Sequence, residues 1–451
     1  MSTAPTAGGA ESAARLLEPG AVVSGDASGA FAVDGRTPQD VAFPATIDEV
    51  ARCAAAAHAA DLAVIPVGNG TQLHIGRPPR RYDLALSTQR LNRILAHEAA
   101  DMTVTVEAGI TLAQLNTALA TAGQRLPIDP PHPERTTIGA LIATDASGPL
   151  RLSQGKVRDL LIGITVVLAD GTLVHGGGRV VKNVAGYDLM KLFTGSFGTL
   201  GIIVEATFKL RPLPEHELAI VLPTAGTNAA VERAVAVISA PVTPHYIAAL
   251  SRAGAACVGL DGPAVVVGCG GTAEEIAVQR QRIGEQVGRD ALRVCSAVDA
   301  ARLYATLRDF PAARLLPLAT RPLGVSQSES VCGCKLSVLP SQLGAVLTRV
   351  EEGAARHDLE AAVLSHVGNG IAFARFSGAA VSEVLPSFAE WVGETVRAAG
   401  GWTVFDRLPT GLKDRIDPWG TAPPGLALMR GIKQTLDPGG RLSPGRFVGG
   451  L

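Results

Sequence analysis

The chain has 451 residues, of which 47% are hydrophobic and 18% charged, which is ample for a globular core and excludes general disorder. Its 40 Lys and Arg residues against 41 Asp and Glu residues leave no basic excess for binding nucleic acid. Because a single core rarely grows past about 250–300 residues, we expect at least two domains.

No run of about 18 uninterrupted apolar residues is present, so no membrane-spanning helix is expected. Residues 1–20 lack the basic start and apolar stretch of a secretory signal. These features predict a soluble, cytoplasmic protein, with peripheral contact to the inner membrane only through partners. The six Cys residues are dispersed, and the single C-x-C pair is too small for an iron–sulfur cluster or a structural zinc.

Residues 1–37 are predicted to be an N-terminal tail and lead-in. Thr46 and Glu49 have the spacing of a capping box and predict a helix that runs to about His58. Hydrophobic periodicity then predicts further elements in chain order. The strands are 62–67, 84–86, 103–107, 162–168, 173–175 and 200–210, and the helices are 112–122 and 187–193. Residues 126–159 are rich in Pro and Gly and are predicted to form loops.

Pro212 and Pro214 end the last of these strands and mark a domain boundary near residue 215. Residues 216–400 alternate strand and helix patterns, which favours an α+β domain with its sheet on one side and its helices on the other. Its predicted strands are 218–222, 265–267 and 336–338, and its helices are 229–238, 273–287 and 340–352. Residues 401–451 are again rich in Gly and Pro.

The most informative segment is Ala63–Leu73, in which a strand enters a turn containing Gly68 and Gly70. Glycine permits positive φ and lets several backbone N–H groups surround an anion, as a pyrophosphate cradle requires. The segment lacks the Gly-Lys-Ser/Thr of a P-loop and the third glycine of a Rossmann fingerprint. Taken alone, the segment fits an ordinary turn better than a pyrophosphate cradle.

Two more segments belong with it. Pro130–Gly148 is rich in Thr, Ser and small residues, which allow a flat aromatic ligand to lie against the backbone. Lys182–Ile203 predicts a helix followed by spaced glycines and a strand, and it contains Gly-Tyr-Asp-Leu and Gly-Ser-Phe-Gly-Thr-Leu-Gly-Ile. In this order and spacing, the three segments resemble the FAD-binding domain of the vanillyl-alcohol oxidase superfamily, in particular its glycolate oxidase and D-lactate dehydrogenase branch.

This resemblance implies an α+β fold in four parts. The tail and lead-in at 1–37 are followed by a two-part PCMH-type FAD-binding domain at 38–215. Residues 216–400 then form an α+β, ferredoxin-like cap domain, and residues 401–451 form a C-terminal segment that returns to the FAD domain. The resemblance covers residues 38–215 and the last fifty residues well, and the middle of the chain loosely. It implies FAD as the cofactor.

The resemblance also implies which residues contact the FAD. Backbone N–H groups from Val67 to Gln72 would hold the pyrophosphate, and later segments would contact the flavin, the ribityl chain and the adenine. The implied set is Pro66, Val67, Gly68, Asn69, Gly70, Thr71, Gln72, Pro130, Thr137, Ile138, Gly139, Thr144, Ser147, Gly148, Gly201, Ile202 and Ile203. Members that attach flavin covalently often have a His just after the glycine turn. Thr71 and Gln72 stand there, so we expect non-covalent FAD and interpret His74 as a loop residue.

The C-terminal run Asp437–Phe447 resembles the tail that returns to the flavin domain in this branch, and its Arg446 is either a partner for an acidic group or a solvated side chain. No catalytic base can be assigned from the sequence. His132, Arg321 and His366 are candidates for substrate contact. The alternative for each is an exposed loop residue that does not contact substrate.

Related hydroxy-acid dehydrogenases carry H-x-G-D-G-N-x-H, which binds a divalent metal that orients the substrate. The matching stretch here is His366–Phe373, which keeps the first His but has neither the Asp nor the second His, so no metal site is expected. In this respect the chain resembles the E-type FAD-binding subunits of bacterial glycolate oxidases. That resemblance implies oxidation of glycolate to glyoxylate in a complex with a catalytic flavoprotein subunit and an iron–sulfur subunit.

Three alternatives remain open. The chain is compatible with a stand-alone FAD-dependent dehydrogenase of another 2-hydroxy acid or an alcohol, or with a scaffold subunit that only assembles the partners. In addition, Val265–Ala273 has the strand, G-x-G-x-x-A and helix order of a dinucleotide site. Since no acidic strand end follows, we interpret it as part of the cap domain rather than as an NAD site.

Overall fold

The structure, a computed structural model, describes residues 21–178, 187–288, 292–312, 332–378 and 381–451. The first strands form a four-stranded sheet around the glycine turn, in which the first strand is antiparallel and the other three are parallel. In spatial order these strands are Val22–Ser24, Asp40–Ala42, Leu84–Ser87 and Val64–Val67. The strand at 22–24 therefore places part of the predicted lead-in inside the sheet.

The helix Ile47–Ala59 covers this sheet with its apolar face. Its predicted cap is confirmed, because the N–H of Glu49 donates to the Thr46 hydroxyl at 3.2 Å. The Glu49 carboxylate accepts from the N–H of Ala45 instead of Thr46, so the capping box is only half formed. The helix thus begins at the predicted residue and orients the strand that leads into the glycine turn.

A five-stranded antiparallel sheet forms the second half of the first domain. In spatial order its strands are Ile94–Glu98, Thr103–Glu107, Ile202–Lys209, Leu161–Val167 and Leu173–Gly177. A short ribbon pairs Gln124–Arg125 with Arg211–Pro212. The helices around this sheet are Leu112–Ala120, Ile138–Thr144, Arg151–Gln154, Val157–Leu160 and Leu189–Phe193. Three of them lie in the stretch predicted to be loops, so that prediction is wrong for 138–144, 151–154 and 157–160.

The rest of the chain forms one eight-stranded antiparallel sheet. Its strands, in spatial order, are Arg293–Val294, His216–Pro223, Ala264–Gly271, Tyr246–Leu250, Glu360–His366, Ile371–Ser377, Cys332–Ser337 and Trp402–Arg407. Its helices are Thr227–Ser239, Arg252–Cys257, Ala273–Val287, Ala297–Asp309, Pro340–Arg356 and Val381–Ala398. The mixed helix and sheet content confirms the predicted α+β class.

Each face of this sheet has its own apolar core. One face is covered by the helices at 227–239, 273–287, 340–356 and 381–398. The opposite face is covered in part by the helices at 252–257 and 297–309, and Leu150 of the first domain also packs there. The expectation of helices on one side only is therefore wrong. The face with fewer helices is the one turned toward the first domain.

The C-terminal segment leaves the large sheet and joins the first one. Residues 402–407 pair with 332–337, so they belong to the cap sheet and not to the returning segment that was predicted to start at 401. Half-buried and buried side chains alternate from Trp402 to Phe405, as they do along a strand with one face on a core. The N–H of Val64 then donates to Arg441 and the N–H of Ser443 to Val64, which adds the chain end beside the first sheet. The helix Leu426–Leu436 precedes that contact.

Within the residue ranges given above, no helix is both long enough and apolar enough to cross a membrane.

Candidate active site

A cavity opens where the glycine turn meets the start of the helix at 138–144. Most of the residues predicted from the sequence to contact a cofactor line it. These are Pro66, Val67, Gly68, Gly70, Thr71, Gln72, Gly139, Thr144, Gly201 and Ile203. They come from three separate stretches of the chain, so the fold brings the three sequence segments to one place.

Close backbone packing shapes this cavity. Gly68 lies directly against Thr137, and a Cβ on Gly68 would collide with the Thr137 hydroxyl. The N–H of Gly139 donates to Ala108 at 2.7 Å, which leaves no room for a larger residue there. Gly70 has φ +72°, the left-handed conformation that glycine adopts without strain. The result is a pocket with backbone on two sides.

Seven predicted contact residues do not line this cavity, and six of them lie behind it. Thr137 caps the helix at 138–144 by accepting from the N–H of Ala140 at 3.3 Å, and Ile138 is fully buried beneath it. Asn69 donates to the Arg135 carbonyl. The remaining three are Pro130, Gly148 and Ile202, all of them buried. Their positions make them supports of the cavity wall.

The polar atoms around the cavity fit an anionic cofactor. Arg446 is buried and lines the cavity, and its Nη2 donates to the carbonyls of Leu73 and Ile75 at 2.6 and 2.7 Å. Its Nε and the hydroxyls of Ser196 and Ser443 are buried without a hydrogen-bond partner among the described residues. A buried cation beside free backbone N–H groups is the arrangement that stabilises a pyrophosphate.

A second cavity lies between the two domains. It shares Thr71, Gln72, Thr144 and Phe197 with the first cavity, so a ligand extending from one reaches the other. Ser147, predicted to contact the cofactor, lines this second cavity. Its other walls include residues from the first domain, the large sheet and the C-terminal segment, namely His74, Ile75, Pro131, His132, Asp145, Ala146, Pro311, Ala312, Lys335, Phe373, Val404, Asp406 and Trp419.

An aromatic group separates the cavities from the C-terminal segment. The rings of Phe197 and Trp419 meet edge to face at 4.8 Å, and Phe447 stacks on Phe197 at 5.4 Å. The indole N–H of Trp419 donates to the carbonyl of Arg446 at 2.9 Å. This packing fixes the C-terminal segment against both cavities.

Two hydrogen bonds hold the cap over the second cavity. The Tyr304 hydroxyl donates to Asp129 at 2.9 Å, and the N–H of His132 donates to Asp309 at 2.9 Å. Asp129 also accepts from the N–H groups of Gly148 and Leu150. Burial raises the pKa of Asp129 to about 7, and the hydrogen bonds that it accepts oppose that rise only in part. This carboxyl therefore changes its charge near neutral pH.

The three candidates for substrate contact differ in position. His132 lines the second cavity. His366 is 3% exposed, does not line the cavity, and meets the ring of Phe373 edge to face at 5.6 Å. Burial, with a smaller contribution from the charges of Lys335 and Arg151, lowers the pKa of His366 to about 3, so its imidazole is neutral. Arg321 lies outside the described residues, as do Lys182–Gly186 of the third segment.

Several cavity residues were not predicted. Phe197 and Gly198 fall inside the third segment, where the glycine spacing was noted but not the ring. Thr88 has no local motif, and Phe373 was noted only as the residue in place of the second His of the metal-binding motif. The sequence could have indicated Lys335, because it is the single charged residue in the strand from Cys332 to Ser337.

The dinucleotide-like segment has a structural explanation. Its strand, Ala264–Gly271, lies inside the large sheet. A Cβ on Gly268 would collide with the ring of Tyr246, and one on Gly270 with that of His245. The following helix is capped by Thr272 and the carboxylate of Glu275, which would repel a phosphate. These glycines make room for aromatic packing, in agreement with the cap-domain interpretation.

Comparison with known families supports the cofactor. Residues 38–177 match the FAD binding domain family, and residues 251–404 and 418–447 match the C-terminal domain of FAD linked oxidases. The structure is similar to that of p-cresol methylhydroxylase with substrate bound, with a TM-score of 0.77 at 15% identity over 97% of this chain and 96% of that one. The predicted PCMH-type fold and FAD as the cofactor are thus confirmed.

Two curated relatives match the chain over shorter stretches. Glycolate oxidase subunit GlcD of Bacillus subtilis is 34% identical over 215 residues, which are 48% of this chain and 46% of that protein. Glycolate oxidase subunit GlcE of Escherichia coli is 36% identical over 154 residues, which are 34% of this chain and 43% of that protein. The chain therefore spans less than half the length of the curated relatives that it matches.

Proposed function

The chain carries the FAD-binding and C-terminal domains of the FAD-linked oxidoreductases, and on that premise we propose that it is the E-type FAD-binding subunit of a glycolate oxidase complex. In this role it takes part in the oxidation of glycolate to glyoxylate and passes electrons to an iron–sulfur partner. Its similarity to both GlcD and GlcE supports a place in such a complex.

The observation that carries the proposal is the loss of the metal-binding motif. Asn369 and Phe373 stand where the metal-binding members have Asp and a second His. His366 is buried and packs against the Phe373 ring, away from the cavity. In the parts of the chain that the structure describes, no three His, Cys, Asp or Glu side chains are placed to hold a metal ion. A metal-dependent step would then fall to a catalytic partner subunit.

The residues of the first cavity have a clear part in this function. The loop at 67–72 and the cation of Arg446 would hold the FAD pyrophosphate, while Gly139 and Ala140 would allow the cofactor to lie against the helix backbone. Phe197 and Trp419 would pack beside it. When bound, FAD accepts two electrons from the α-carbon of a hydroxy acid and can release them singly.

A second function is favoured by the second cavity. Because this chain alone builds a cavity with several polar groups next to the cofactor site, it is also suited to oxidise a 2-hydroxy acid directly, without a catalytic partner. In that case the chain would be a stand-alone dehydrogenase. The two functions differ in whether substrate reduces the flavin of the isolated chain.

The test is an anaerobic reduction experiment. The full chain is loaded with FAD, its visible band is recorded, and glycolate is added first alone and then with co-purified GlcD-type and iron–sulfur subunits. The subunit proposal expects complete bleaching of this chain's flavin only in the complex. Bleaching of the isolated chain by glycolate or D-lactate would favour the stand-alone enzyme. A flavin that stays oxidised in the assembled complex, or a chain that never associates with those subunits, would refute the proposal.

A further inference from the structure

Lys335 lies on the side of the large sheet that faces the cofactor domain. Side chains alternate along the strand Cys332–Ser337, and Cys332, Cys334 and Leu336 pack into the core under the helices. Lys335 points the other way, beside its cross-strand partner Phe373, and both line the second cavity. A cationic side chain is therefore placed in the wall opposite the cofactor loop.

The two carboxylates that line this cavity already have cationic partners. Asp406 is bound by Arg375, whose Nη2 lies 2.8 Å from it. Asp145 lies 3.4 Å from the Nζ of Lys156. Neither carboxylate makes an ion pair with Lys335, and within the described ranges its ammonium has no hydrogen-bond acceptor. This leaves one positive charge in the cavity without a directly bound counter-ion, with Asp145 and Asp406 acting on it only from a distance.

A cation without a bound counter-ion costs free energy in a partly buried wall. The presence of the Lys335 ammonium there therefore points to an anionic ligand. Burial lowers the pKa of Lys335, Arg151 and Lys156 lower it further, and the more distant charges of Asp145 and Asp406 oppose that change only in part. Strand register explains why Asp406 makes no ion pair with Lys335. Gly333 leaves space for the Arg375 guanidinium, which holds Asp406 from the neighbouring strand.

The surroundings of Lys335 define the ligand that fits. The cavity offers one cation, hydroxyl and amide groups at Thr71, Gln72 and Thr144, and apolar walls at Phe373 and Trp419. A ligand with one carboxylate, a nearby hydroxyl and no second charge matches these wall groups. A second carboxylate on the ligand would approach Asp145 or Asp406 and be repelled.

We propose that Lys335 anchors the carboxylate of a small monocarboxylic 2-hydroxy acid in the cavity between the domains. The inference rests on the proposed function for the class of substrate and deepens it, because it gives this subunit its own substrate-binding residue. Lys335 acts there through its fixed charge, which selects acids over neutral alcohols of the same shape.

The test uses a ligand that cannot be oxidised. 2-Hydroxyisobutyrate is a 2-hydroxy acid without an α-hydrogen, and its amide has the same shape without the charge. Each is titrated into the FAD-loaded full chain while the visible flavin band is followed. We expect the wild type to bind the acid about tenfold or more tightly than the amide. Lys335→Met should bind both equally, and Lys335→Arg should keep the preference.

Lys191→Met is the matched control, because Lys191 is exposed and lies outside both cavities. It should keep the preference of the wild type. A wild type that does not distinguish acid from amide, or a Lys335→Met variant that folds, binds FAD and still prefers the acid, would overturn the inference. The measurement needs neither turnover nor partners. If the acid preference depends on Lys335 but the assembled complex does not oxidise glycolate, the subunit proposal fails and the anchor remains.

Discussion

Asp129 is a buried carboxyl that connects the two domains, and its titration should be visible in the stability of the protein. The change to Asn imitates its protonated form, because the amide can donate to the Tyr304 oxygen, which reverses that hydrogen bond, and can accept from the N–H of Gly148. The pKa of about 7 in the folded state compares with 3.8 for an ordinary Asp. A carboxyl whose pKa is raised by folding stabilises the protein fully below the lower value and loses that contribution as pH rises through the higher one.

The size of the effect follows from that difference. Each pH unit between about 4 and 7 should cost the wild type up to about 1.4 kcal/mol relative to Asp129→Asn. Between pH 5 and pH 7 the difference between the two proteins should thus change by about 2–3 kcal/mol at most, and it should level off above pH 7. Urea unfolding followed by tryptophan fluorescence at constant ionic strength measures it.

The control for this experiment is Asp101→Asn, since Asp101 is exposed in a turn. Its unfolding free energy should follow the wild-type pH curve. If the wild type and Asp129→Asn ran parallel from pH 5 to pH 8, Asp129 would not titrate in that range, and the reasoning from its burial would be refuted.

Two further changes test the cofactor cavity and the chain end. Gly68→Ala should weaken FAD binding to the apoprotein about tenfold or more, because the new methyl group collides with Thr137 and pushes the loop away from the helix; flavin fluorescence titration measures it. Lys433→Met should lower the unfolding free energy by about 3–5 kcal/mol, because it leaves the buried Asp437 carboxylate without the cation 2.6 Å away; urea unfolding measures it.

Matched substitutions separate these effects from general ones. Gly29→Ala adds a methyl group where no atom lies within 4 Å, so FAD affinity should not change. Lys191→Met removes an exposed ion pair and should cost less than about 1 kcal/mol. A Gly68→Ala protein with wild-type affinity would show that the loop has room to move. A Lys433→Met protein no less stable than the Lys191 variant would show that Asp437 needs no partner.

The elements with a strong periodic pattern were predictable from sequence. The strand at 103–107 and the helix at 273–287 have the predicted bounds, because alternation and a capping box mark them locally. The helix at 138–144 was missed, since its glycine and its short length give no helical signal. It forms because Gly139 packs on Ala108 and Thr137 caps it, and both contacts depend on the surrounding fold.

The residues of the candidate site likewise include some that the sequence could predict and some that it could not. The glycine loop and the segments after it could be predicted because each is contiguous and has a recognisable composition. The second cavity could not, because it joins Gln72, Thr144 and Lys335, and only the docking of the cap brings them together. The same holds for Tyr304, whose partner Asp129 lies in the other domain.

The pairing of Leu442 with Val64 has a consequence for the order of events during biosynthesis. The glycine loop is made long before the segment that pairs beside it and carries Arg446 over its cavity. At about 5–20 residues per second, the interval between the two is on the order of tens of seconds on the ribosome. The finished cradle does not exist during that time, so we expect FAD to bind only after Arg446 has been made.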